Sequence, residues 1–312
     1  MCRLSVVLPN LMVKAIKKGR LMDSLKELNI RGHKIVAKIF NEDKSGIPVI
    51  FIHGITATID FWEPVQTPIF KKHFRWYSLS LPGHYPAELP SEFHKKSVTA
   101  GMMAQVLTDA IKELVGDQPV ILVGHSTGGF AALSIAASTP EIAAGVISIA
   151  GFAQGRFTGA LGIFQKLARF GIIGRVLFKM NFNILASTTW IYRFGIGLYA
   201  NDRKALYSNK DFNTVVDVAY RGTKEFDLNA LIPFFNRLPD IDISELLPNI
   251  TAPTLALAGD SDPIVPPEQS QIIAERVPKG EKVLLKGAGH LSMFERQEEY
   301  NRVITDWVEK LS

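Results

Sequence analysis

Cysteine is almost absent: Cys2 is the one thiol in 312 residues. A single cysteine excludes an internal disulfide framework, so the fold must rest on its apolar core. The same scarcity suits a reducing, cytoplasmic setting. No Cys/His cluster has metal-ligand spacing, and no metal or organic cofactor is expected. Internal repeats and low-complexity tracts are also missing. The apolar stretch Leu4 to Val13 is too short to span a bilayer and is interrupted by Ser5, Pro9 and Asn10. Its basic residues, Lys14, Lys17, Lys18 and Arg20, follow it instead of preceding it, which argues against a secretory signal. Residues 1–30 therefore read as a leading arm packed on the core, with a membrane-surface helix as the alternative.

Charge is scarce elsewhere too. Between Pro119 and Gly155, Glu141 is the one residue of the Asp/Glu/Lys/Arg set. Gly128-Gly129, Pro140 and Gly145 divide that segment into strand, helix and strand, the pattern of a parallel sheet buried on both faces. Acidic residues are missing altogether from Phe152 to Asn201, where Arg156, Lys166, Arg169, Arg175, Lys179 and Arg193 stand among ten aromatics. These six positive charges exceed the chain's net +5. The basic residues are dispersed through apolar sequence and no nucleic-acid motif accompanies them, so no nucleic-acid partner is expected.

What is present is an alternation. Strand-like runs at Lys34–Phe40, 48–52, Phe74–Leu81, Pro119–Val123, Val146–Ala150, Thr254–Ala258 and Lys282–Leu285 are interleaved with helical patterns. Such alternation predicts an α/β fold with a mostly parallel central sheet and helices on both faces. The first run reads as an antiparallel edge strand. Alternation stops between Gly151 and about Arg237. The expected organisation is a core of 31–151 and 237–312 with a helical cap or lid, 152–236, inserted between two strands.

The strand before residue 124 runs into Gly124-His125-Ser126-Thr127-Gly128. This G-x-S-x-G pattern predicts a tight strand-to-helix turn that exposes the Ser126 hydroxyl above the sheet. A serine nucleophile needs a base, and the base needs an orienting acid, in the chain order Ser, acid, His. His290 is the one histidine downstream of Ser126. It follows a strand, in Lys286-Gly287-Ala288-Gly289-His290, and is the expected general base. The acid is expected in the loop Gly259–Pro266, where Asp262, deeper in the loop, is preferred to Asp260 at the strand end. The oxyanion donors are expected to be the backbone amides of Thr127 and of Ile55, the latter in the loop after the 48–52 strand. His53 precedes the serine and reads as a loop-shaping residue.

His53-Gly54, Leu81-Pro82-Gly83-His84, the Gly124–Gly129 elbow, Gly259 through Pro266, and Gly287-Ala288-Gly289-His290 follow one another in the order of the α/β-hydrolase fold superfamily, which the chain resembles. In that family the acid lies three residues after the loop glycine, which matches Asp262 after Gly259. One departure is Tyr85-Pro86-Ala87, where many relatives carry a Gly and a Ser beside the active site.

The expected activity is hydrolysis of a carboxylic ester, or a related acyl bond, of a small hydrophobic substrate, with water as co-substrate. The same triad would serve a thioesterase, a carbon–carbon bond hydrolase or an acyltransferase, and a non-catalytic binding protein is the alternative of a different class. Three readings of the basic, aromatic insertion stand side by side. Its aromatics line the pocket while its cations are solvated, or it makes peripheral membrane contact, or it recognises an anionic acyl substrate.

Overall fold

The computed structural model describes residues 24–311. Cys2, the Leu4–Val13 stretch and the basic residues after it lie outside the described residues. An eight-stranded sheet runs in the order β1-β2-β4-β3-β5-β6-β7-β8. The strands are β1 (Ser24–Ile30), β2 (His33–Phe40), β3 (Val49–Ile52), β4 (Trp76–Leu79), β5 (Val120–His125), β6 (Ala143–Ile149), β7 (Thr254–Gly259) and β8 (Gly280–Leu285). β2 is antiparallel to both β1 and β4, while β3 to β8 pair in parallel. This is the expected α/β class.

The edge differs from expectation. β2 does not end the sheet, because β1, within the stretch read as a leading arm, pairs outside it. The turn between them is Arg31-Gly32, with φ of 52° and 80°. Two positive φ values match the twist of a two-residue hairpin. Arginine is an uncommon first residue for such a turn, and no Asn-Gly or Asp-Gly signal marks it.

β3, β4 and β5 are fully buried. Helices cover both faces, among them Ala100–Val115, Thr127–Ser138 and Gln297–Glu309. Thr99 caps the first of these, its hydroxyl accepting from the Met102 amide at 3.0 Å. Between β6 and β7 lie six α-helices: Gly159–Arg169, Gly171–Leu185, Thr189–Gly197, Arg203–Ser208, Lys210–Lys224 and Leu228–Arg237. The strand order places β4 on one side of β3 and β5 on the other. Chain direction across the sheet thus reverses between β3 and β5, and the crevice at their carboxyl ends is where open α/β sheets bind ligands.

Candidate active site

Ser126 stands at that crevice. It follows β5, caps the helix Thr127–Ser138, and has φ 55° and ψ −117°. A positive φ is costly for a side-chain-bearing residue and is held only by over-determined surroundings. The Ser126 amide donates to the Ile149 carbonyl at 2.8 Å, tying the turn to β6. The glycines of the motif are needed for close approach. A β-carbon on Gly124 would overlap the Gly128 backbone, and one on Gly128 would overlap the carbonyls of Ile52 and His53. The elbow is thereby pressed against the loop after β3, which carries Ile55.

Thr127 opens the helix, so its amide has no intrahelical acceptor and sits at the positive end of the helix dipole. Ile55, Ser126 and His290 line one apolar pocket, whose other wall comes from the six-helix insertion through Leu161, Tyr192 and Ile196. A second apolar pocket adjoins it, sharing those three residues and continuing between Phe164, Phe182 and Leu185.

The structure brings His290 and Asp262 together. His290 Nδ1–H donates to Asp262 Oδ2 at 2.7 Å, with both side chains almost completely buried. The other Asp262 oxygen accepts from the amides of Ile264 at 2.8 Å and Val265 at 2.9 Å. These bonds fix the carboxylate with one oxygen left for the imidazole. Asp260 is exposed and turned away, accepting from Ser261 Oγ and the Gly287 amide, both at 2.8 Å. Ser126 Oγ is buried and makes no hydrogen bond. Serine and imidazole thus share a pocket without a hydrogen bond between them.

His53 is buried with both ring nitrogens engaged. Nδ1–H donates to the Gly54 carbonyl at 2.8 Å, and Nε2 accepts from the Leu81 amide at 3.2 Å. Burial pushes its pKa down to about 3, so the ring is a neutral brace between the loops after β3 and β4.

Two residues of the site escaped the sequence reading. His125, the variable residue before Ser126, lines the pocket, and its Nε2–H donates to the His290 carbonyl at 3.0 Å. Burial drives its pKa down to about 3, so it braces the His290 loop as a neutral ring. Glu295 is buried, and its carboxylate accepts from the amides of Asn201, Asp202 and Gly289. The His290 amide donates to the Tyr199 carbonyl at 2.9 Å. Together these bonds lash the insertion to the loop that carries His290. Desolvation pushes the Glu295 carboxyl above its ordinary pKa, against those amide bonds. Its one sequence signal is an acid placed directly after Leu291-Ser292-Met293-Phe294.

Comparison with known proteins agrees with this architecture. The sequence pattern of the alpha/beta hydrolase fold family matches residues 47–297. RutD of Stutzerimonas stutzeri (strain A1501), whose name carries a provisional assignment as a carbamate hydrolase, is 24% identical over 261 residues, covering 83% of this chain and 90% of that protein. An esterase from Thermogutta terrifontis superposes with a TM-score of 0.69 at 19% identity, over 92% of this chain and 99% of that one. The enol-lactonase from Burkholderia xenovorans LB400 superposes with a TM-score of 0.72 at 16% identity, over 91% and 100%. The chain belongs to the α/β-hydrolase fold family and is a hydrolase.

Proposed function

We propose that the protein hydrolyses a carboxylic ester, or a related acyl bond, of a small hydrophobic substrate through an acyl-enzyme. The observation that carries this reading is the buried Asp262–His290 pair at 2.7 Å in the same apolar pocket as Ser126 on its positive-φ turn. Ser126 Oγ attacks the acyl carbonyl while His290 Nε2 takes its proton. Asp262 holds the Nδ1–H tautomer and stabilises the imidazolium. The oxyanion is met by the amides of Ile55 and Thr127. His290 then returns the proton to the leaving alkoxide. In the second half-reaction it removes a proton from water, whose oxygen attacks the acyl carbon; the acyl carbon–Oγ bond then breaks, His290 returns the proton to Ser126 Oγ, and the acid is released.

The apolar walls around Leu161, Tyr192 and Ile196 support a hydrophobic acyl or alcohol portion. The adjoining space between Phe164, Phe182 and Leu185 suits an extended acyl chain. The names of the similar proteins, a carbamate hydrolase, an esterase and a lactonase, all describe cleavage next to an acyl carbonyl. The test is labelling by a fluorophosphonate probe together with turnover of p-nitrophenyl esters of graded chain length and of acyl-CoA thioesters. Ser126→Ala is expected to abolish labelling and to lower turnover by about 10⁴-fold or more. Full turnover by that variant would remove the mechanism, and an unlabelled wild type would favour a binding protein.

A further inference from the structure

The helix Gly171–Leu185 is apolar on two faces. Gly174, Phe178 and Phe182 recur every four residues and are buried. On the opposite side Ile172, Ile173, Val176, Met180 and Ile184 form a second row, each between 49% and 79% exposed. A helix lying on a protein core normally turns a polar face outward. Single exposed apolar residues are ordinary, but a continuous row marks an interaction surface. Phe170, just before the helix, is 70% exposed and lengthens the row. The next helix adds Trp190 and Phe194, both exposed and stacked at 6.4 Å, and Trp190 is the one exposed tryptophan of four.

Within the stretch 152–201, which carries this row, the charges have one sign. Arg175 and Lys179, one turn apart, border it on the side toward the helix Leu228–Arg237, where with Lys95 they line an open cleft. Lys179 Nζ donates to the neutral Asn229 Oδ1 at 2.7 Å. Arg169 is paired with Asp240. Across residues 152–201 there is no acid. A protein-facing patch of this size normally carries a mixed polar rim. An apolar row edged by cations fits the boundary between anionic headgroups and acyl chains.

We propose that this face docks on a bilayer surface containing anionic phospholipid. The aliphatic row enters the acyl boundary while Arg175 and Lys179 meet lipid phosphates. The contact is peripheral, since no helix among the described residues is long and apolar enough to cross a membrane. The inference does not depend on the bond cleaved at Ser126.

The test is flotation of the full chain with phosphatidylcholine vesicles, with and without about a third phosphatidylglycerol, at low and high salt. The protein is expected to float with the anionic vesicles, less so at high salt because exposed charges are screened. Ile173→Asp with Val176→Asp should weaken partitioning more than tenfold, and Arg175→Ala about fivefold. These positions are exposed, so ester turnover in solution and the circular dichroism spectrum should stay as in the wild type. Four results would overturn the proposal. They are no flotation, equal flotation with neutral vesicles, flotation that survives the paired aspartates, and a soluble dimer that those aspartates dissociate while vesicles stay unbound. The third assigns the lipid contact elsewhere in the chain, such as residues 1–20; the fourth assigns the face to a second copy.

Discussion

Two helices of this protein read alike as apolar runs without an acid, yet they have opposite surroundings. Thr127–Ser138, behind Ser126, has eleven of its twelve residues buried. Gly171–Leu185 has three of fifteen buried. Side-chain size separates them. The first holds Gly128, Gly129, Ala131, Ala132, Ala136 and Ala137, small enough for the sheet and the helix Ala100–Val115 to close on it from both sides. The second carries bulky branched residues and two cations, and one of its apolar sides packs inward while the other meets solvent. Hydropathy along a chain measures how much apolar surface there is. It does not say which side a neighbour covers.

The contrast is sharpest at the elbow. Gly128→Ala forces a methyl group into the Ile52 and His53 carbonyls, which are backbone and cannot yield. No soluble folded protein is expected, as checked by expression and circular dichroism. A folded, active variant would mean that the elbow is looser than its geometry. The next largest effect separates two carboxylates of one loop. Asp262→Asn should lower kcat by about 10³ to 10⁴-fold, because the imidazole loses its orienting acceptor, while Asp260→Asn should cost only a few-fold. The reverse ranking by steady-state kinetics would transfer the role of the acid.

Within the insertion helix, Phe178→Ala should cost about 3–5 kcal/mol by urea unfolding, because a buried ring leaves a cavity. Between pH 7 and 5 acid should act through the buried histidines of the sheet region, since no histidine lies between Ser126 and His290. His53, His84 and His125 are held by burial down to about 3, about 4 and about 3, from an ordinary 6.5. A neutral ring in the fold with a higher pKa when unfolded contributes its stability in full above pH 6.5. That contribution is lost as pH falls from there toward 4, where the unfolded chain binds up to three protons that the folded one excludes. Urea midpoints should therefore drop between pH 7 and 5, and a flat profile would show these rings to be solvated. The smallest effect belongs to the exposed row: Val176→Ser should change stability by less than about 0.5 kcal/mol.

Much of the fold was legible because its signals are local. The buried parallel strands read as uninterrupted apolar runs, and the elbow as glycines at fixed spacing from Ser126. The Arg31-Gly32 hairpin was not legible, since its turn uses arginine at a positive φ and β1 is half exposed. His125 and Glu295 were hidden for another reason: their partners, the His290 carbonyl and the amides of Asn201, Asp202 and Gly289, lie far away along the chain or in a different loop.

By itself the sequence determined the α/β class, the strand-to-helix turn at Ser126 and the candidacy of the lone downstream histidine. Period, glycine spacing and residue chemistry are properties of neighbouring residues. Only the tertiary structure decided that Asp262 and not Asp260 meets His290, and that Gly171–Leu185 leaves one apolar side uncovered. Both depend on which segments, distant in the chain, pack against each other, and burial and hydrogen-bond pairing exist only once they do.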